Sequence, residues 1–125
     1  MAPQIRILIA DDEPDTLGLI QLTLETAGYQ VHTALGAEPA LSLMEQHDFD
    51  LLLLDIMMPG MSGFDLVRHI RAQSTVFPPV IFLTAKNQPE DIEEGKSLGA
   101  VDFLIKPTTR GELLDAIRSG LGLEA

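Results

Sequence analysis

The sequence predicts a doubly wound α/β domain, with five parallel strands in the order 2-1-3-4-5 covered on both faces by five helices. Three observations predict it. Short apolar or β-branched runs alternate strictly with stretches of helical periodicity along the 125 residues. The third run, Phe49–Leu54, is apolar on both faces, which belongs in a parallel sheet covered on both sides. Polar residues close four of the runs: Asp11 and Asp12 the first, Asp55 the third, Thr84 the fourth and Lys106 the fifth. In open parallel sheets functional groups collect at the carboxyl ends of the strands.

Ile5–Ala10 reads as a buried strand that runs into Asp11, Asp12 and Glu13, with Pro14 suited to the first turn of a helix. Leu17, Ile20, Leu24 and Ala27 then recur at helical spacing until Gly28 supplies a stop. Tyr29–Ala34 alternates as the second strand. Glu38–Gln46 is the second helix, with Ala40, Leu41 and Met44 on one side. After the third strand, Met58–Gly63 is loop chemistry, and Met57, Met58 and Met61 are expected to pack within that loop. Phe64, Val67 and Ile70 mark the third helix, capped by Ser62. Pro79–Leu83 is the fourth strand, ending at Thr84. From Gln88 to Leu98 the apolar stripe is thin, essentially Ile92 and Leu98, and Gly95 weakens a helix interior by ~1 kcal/mol relative to Ala. The fourth helix is therefore expected to be the least firmly held, with Glu90–Glu94 as a solvated face. Val101–Ile105 is a fifth strand running into Lys106 and Pro107. Thr109 and Glu112 frame a capping box for a last helix on Leu113, Ile117 and Leu121.

At roughly 100–200 residues per domain, residues 1–125 read as a single domain, with 122–125 as a tail or the start of a linker. Eight Lys and Arg against 19 Asp and Glu give a net charge of −11. Such a surface repels phosphate backbones and anionic lipid, so direct nucleic-acid and membrane binding are not expected. With no cysteine, disulfides, thiolate metal sites and cysteine nucleophiles are excluded. No apolar run approaches the ~20 residues of a membrane span, and no signal-peptide pattern opens the sequence, so a cytoplasmic protein is expected. His32, His47 and His69 lie far in sequence from the acidic residues and are given no chemistry.

In a 2-1-3-4-5 order the first and third strands are neighbours, so Asp11, Asp12 and Asp55 converge. Two unit charges ~4 Å apart repel by about 4 kcal/mol at an effective dielectric of ~20, and three such carboxylates call for a cation. Oxygen ligands without nearby His or Cys favour Mg²⁺, with Mn²⁺ as the alternative, over zinc.

The Asp11-Asp12 pair, the segment Asp55-Ile56-Met57-Met58-Pro59-Gly60, Thr84-Ala85 and Lys106-Pro107 together resemble the receiver domains of bacterial two-component response regulators. The resemblance runs from Arg6 to about Leu121 and implies a flavodoxin-like sheet. It implies that Asp55 takes a phosphoryl group from a sensor histidine kinase or phosphotransfer protein. Asp11, Asp12, Asp55 and the Met57 carbonyl would hold the divalent ion, Thr84 and Lys106 would engage the phosphoryl group, and Phe103 would be the aromatic that repositions with it. Pro107 would follow a cis peptide bond. Output would leave through the fourth helix, fifth strand and fifth helix, to a downstream protein or to an effector domain cut away from this stretch. The same face would serve a homodimer, although Ala116 stands where winged-helix members usually carry a basic residue. Such a module phosphorylates and dephosphorylates itself and is not a turnover enzyme.

Four other readings compete. An unphosphorylated scaffold of the same fold would be expected to have lost an acceptor, metal or lysine position, and none is lost. A flavodoxin-like electron carrier would place a cofactor phosphate in the first loop, which Asp11, Asp12 and Glu13 fill with negative charge. A haloacid-dehalogenase-type phosphatase resembles a second aspartate two residues after the first, where Met57 stands, and no glycine-rich lysine loop suggests a P-loop.

Overall fold

The computed structural model describes residues 4–74, 76–85 and 88–123, so Glu124 and Ala125 of the expected tail lie outside the described residues. The elements alternate as β1 (Arg6–Ala10), α1 (Pro14–Thr26), β2 (Gln30–Ala34), α2 (Ala37–Gln46), β3 (Leu51–Asp55), α3 (Gly63–Gln73), β4 (Val80–Thr84), α4 (Pro89–Ser97), β5 (Asp102–Ile105) and α5 (Arg110–Gly120). All strand pairs are parallel, and the sheet order is β2-β1-β3-β4-β5. The doubly wound fold expected from the alternation is the fold observed.

Strand alternation divides the core into two layers. Ile7, Ile9, Leu51, Leu53, Ile81, Leu83 and Leu104 face α1 and α5, where Leu17, Ile20, Leu24, Leu113 and Ile117 meet them. Leu8, Ala10, Leu52, Leu54, Val80 and Phe82 face the opposite layer, built from α2, α3 and Leu98 at the end of α4. β3 and β4 are buried along their full length, as their two-sided apolar sequences require. β3 starts two residues later than expected. Asp50 instead links to β1 from outside the ladder, taking the Arg6 N–H on its carboxylate at 2.8 Å and donating its own N–H to the Arg6 carbonyl.

The helix ends follow their local chemistry. Ser62 with Asp65 opens α3, and Thr109 with Glu112 opens α5, each as a complete capping box. Gly28 takes a left-handed φ of 99° just after α1. Ala27, expected on the apolar stripe, is instead exposed at the C-cap, because the helix ends before its face turns inward again.

Two expectations about α4 need correction. Glu94 is no bare solvated position, since Arg68 of α3 pairs with it and also with Asp65 at 3.0 Å. Arg71 adds a hydrogen bond to the Ser97 carbonyl at the C-terminus of α4, so two arginines of α3 reach across to α4. Gly95, read from sequence as a weak point, is the buried residue of α4. A Cβ there would come within 2.3 Å of Phe103 Cζ and 3.2 Å of Phe82 Cδ2, so its missing side chain seats the Phe103 ring. That ring lies 5.8 Å from the ring of Phe82.

Propensity alone predicts that Gly95→Ala stabilises the protein by ~1 kcal/mol. Packing predicts the reverse, a loss of about 1–3 kcal/mol as the aromatic pair is displaced. Thermal unfolding of the variant decides between them, and a raised midpoint would show that the Phe103 ring yields freely.

Candidate functional site

Three strand ends build the site. β1 ends at Ala10, and the next residue, Asp11, continues the ladder by donating its N–H to the Ala34 carbonyl at 3.1 Å. Asp11 is fully buried, and its Oδ1 accepts the Glu13 N–H at 2.9 Å, which turns the chain into α1. Asp55 is the last residue of β3 and only 3% exposed, with Oδ1 accepting the Met57 N–H at 3.1 Å. Ligand oxygens of Asp11, Asp12 and Asp55 lie within 4.8 Å of one another.

Lys106, one residue beyond β5, enters this cluster. Its Nζ lies 2.7 Å from Asp11 Oδ2, 3.1 Å from Glu13 Oε1 and 3.2 Å from Asp55 Oδ2. The contacts to Glu13 and Asp55 are hydrogen bonds. The approach to Asp11 is an ion pair without the angles of a directed bond, which leaves Asp11 Oδ2 as a buried oxygen with no hydrogen-bond partner. Charge repulsion among the carboxylates is thus answered first by an ammonium of the chain itself. The Lys106 N–H also bonds the Thr84 carbonyl at 2.8 Å, tying the ends of β4 and β5 together. The peptide bond from Lys106 to Pro107 is cis, as the resemblance implied.

Electrostatics follow from burial and proximity. Burial and, after it, the Asp11 charge push the Asp55 carboxyl up to about 6, against the opposing pull of Lys106 and the Met57 N–H. Burial works against the Lys106 charge, yet the close Asp11 carboxylate, the bond to Glu13 and the charge of Asp55 outweigh it and hold the ammonium above its ordinary value.

The donor set fits a hard divalent cation. It offers carboxylate oxygens only, from one buried, one exposed and one buried aspartate, and one of those oxygens lacks a directed partner. No histidine is in that group. His32 and His47 stack with ring centroids 4.5 Å apart, and burial, with His47 and Arg6 behind it, lowers the His32 pKa.

The structure brings Asp11, Asp12, Asp55 and Lys106 together and sets Thr84, buried, at the neighbouring strand end. Phe103 sits apart from them, against Phe82 and Gly95. Met57 does not pack in its loop as expected. Its side chain is 71% exposed while Met58 and Met61 pack against the core, because the Asp55-bound N–H turns the backbone there. Two residues of the site escaped the sequence reading. Glu13 was legible only as more acid beside a strand end. Gly63, read as loop, lets α3 start against β3: a Cβ on it would meet the Asp55 carbonyl oxygen at 2.4 Å. A glycine that makes room in this way leaves no trace in periodicity.

A family model described as the response regulator receiver domain matches residues 7–118. This chain belongs to that family. It is 41% identical over 115 residues to the response regulator GtcR of Aneurinibacillus migulanus, covering 92% of this chain and 47% of that protein. It is 42% identical over 107 residues to a probable cyclic di-GMP phosphodiesterase of Vibrio cholerae, covering 85% of this chain and 24% of that protein. This receiver chain spans about half or less of the length of these curated relatives. Among solved structures, the chemotaxis protein CheY4 of Vibrio cholerae superposes with a TM-score of 0.90 at 35% identity, covering 95% of this chain and 100% of that one. The receiver is thus a part of two-component signalling, and no helix among its described residues is long and apolar enough to cross a membrane.

An acid whose folded pKa lies above its unfolded value lends stability that is complete below the unfolded value and lost as pH rises through the folded one. For Asp55 that window runs from its ordinary 3.8 to about 6. Asp55→Asn cannot ionise, so in metal-free buffer its thermal midpoint should gain on the wild type as pH rises across that window. A gap that stays constant with pH would contradict a raised Asp55.

Proposed function

We propose that this receiver accepts a phosphoryl group on Asp55 from the phosphohistidine of a sensor histidine kinase or phosphotransfer protein. The observation that carries the reading is a buried carboxylate at the end of the central strand with an ammonium 3.2 Å away. The phosphorus–nitrogen bond of the donor breaks as a phosphorus–oxygen bond to Asp55 forms. Lys106 then pairs with the phosphoryl oxygens, and Thr84 hydrogen-bonds them. Asp11, Asp12, Asp55 and the Met57 carbonyl would hold Mg²⁺, or Mn²⁺ in its place. When bound, the dication offsets charge on the phosphoryl oxygens.

The receiver acts as a switch that loads and clears itself and does not turn over a substrate. Phe103 and the surface of α4, β5 and α5 carry the output, because the ring lies between β5 and α4 in the space left by Gly95. The recipient is a downstream protein or an effector domain joined to residues 1–125, with 122–125 as the join, and the same surface serves a homodimer. The setting is the cytoplasm, where kinase and receiver meet, and no contact with nucleic acid or membrane is required of a domain with a net charge of −11.

Incubation with acetyl phosphate and Mg²⁺ should add one phosphoryl group, detected by intact mass, and Asp55→Asn should abolish it. Labelling of the Asn variant at the wild-type level would move the acceptor elsewhere, and an unlabelled wild type would favour the unphosphorylated scaffold.

Mg²⁺ at tenfold excess over its dissociation constant should stabilise the fold by about 1.4 kcal/mol. Asp12→Asn, at an exposed position, should erase most of that gain while the metal-free midpoint holds or rises. A wild-type midpoint indifferent to millimolar Mg²⁺ would remove the metal from the reading.

A further inference from the structure

We infer that Glu13 is a positioning residue, which holds Lys106 in its resting place and is the contact given up when a phosphoryl group reaches Asp55. The inference deepens the phosphoryl-acceptor reading and rests on it. An ammonium has three N–H donors, and that of Lys106 faces three carboxylate oxygens, from Asp11, Glu13 and Asp55. Two of these contacts, to Glu13 and Asp55, are hydrogen bonds, and a phosphoryl oxygen on Asp55 competes for the ammonium at the expense of the contact that is most cheaply given up. Asp11 has no directed hydrogen bond to Lys106 to give up, and its side chain is fully buried. Asp55 carries the reacting atoms and stays beside Lys106. Only the Glu13 side chain, 61% exposed, is rehydrated where it stands.

Nor does the Glu13 side chain have another task. The residue occupies the N-cap of α1, yet its carboxylate makes no capping bond. Asp11 turns the chain into the helix by accepting the Glu13 N–H, which leaves the Glu13 carboxylate to Lys106. An interaction present in the resting state and absent from the transition state slows the reaction by what it is worth.

Acetyl phosphate with Mg²⁺ tests this in wild type, Glu13→Gln and Glu13→Asp. In that transfer a bond forms from an Asp55 oxygen to phosphorus while the bond from phosphorus to the acetyl oxygen breaks. Acetate leaves with the electron pair, and no proton moves. Gln removes the ion pair, whereas Asp keeps the charge but is one methylene too short to hold the contact. Both variants should load about 2- to 5-fold faster than wild type, the size of one solvent-exposed ion pair.

Acceleration by Gln alone would mean that the Glu13 charge merely repels the donor, and the positioning role would fall. Unchanged or slower loading in both would overturn it too. The resting contact is read separately, without donor or metal. The Lys106 ammonium protons should exchange more slowly with water in wild type than in Glu13→Gln by ¹H–¹⁵N NMR, and equal exchange would deny the hold. A wild type that takes no phosphoryl group overturns the acceptor reading and this inference with it. A labelled wild type with indifferent variants overturns the inference alone.

Discussion

The ion cluster in which Lys106 meets Asp11 and Asp55 is the constraint on which the rest of the structure depends. Two buried carboxylates side by side are unfavourable, and each would be protonated or rehydrated without a neighbouring cation. Lys106 reaches both only because β5 ends beside β4 and the chain then bonds back to the Thr84 carbonyl. The site thus fastens the carboxyl edge of the sheet, joining the ends of β1, β3, β4 and β5 through a single side chain and its backbone. The arrangement answers the charge without removing it: burial still pushes the Asp55 carboxyl up, and the Asp11 oxygen nearest the ammonium has no directed bond.

What was legible in the sequence had strong local causes. The two-sided apolar runs at Leu51–Leu54 and Val80–Leu83 require helices on both faces, and the boxes at Ser62 and Thr109 satisfy helix ends with adjacent side chains. The strand-end aspartates, Thr84 and Lys106 follow from where polar residues interrupt apolar ones. What escaped depends on partners distant in the chain. Glu94 reads as one more acid on a solvated helix until α3 brings Arg68 to it. Glu13 acquires its partner from 93 residues away. Gly63 and Gly95 matter through the side chain they lack, and only the neighbour that fills the space reveals this.

The Gly95 case also shows how two physical effects compete at one residue. Backbone entropy disfavours glycine in a helix, while the close approach of the Phe103 ring demands it. Arg68 and Arg71 then hold the helix from the α3 side. α4 is accordingly fixed by polar contacts at its flank and an aromatic contact beneath, with few apolar side chains of its own. Its attachments are of kinds that can be broken one at a time, unlike the interlocked layers under α1 and α3.

Strand alternation has a consequence for the direction of traffic through the molecule. Asp11, Asp55 and Lys106 follow Ile9, Leu53 and Leu104 by two positions, which sets them on the α1 and α5 side of the sheet. Thr84 follows Phe82, and Phe103 packs with it, on the side of α2, α3 and α4. The sheet is therefore a partition, with Asp11, Asp55 and Lys106 in one compartment and the Phe82–Phe103 pair in the other. The main chain joins the two, since the Lys106 N–H is bonded to the Thr84 carbonyl and Phe103 lies three residues before Lys106 on β5.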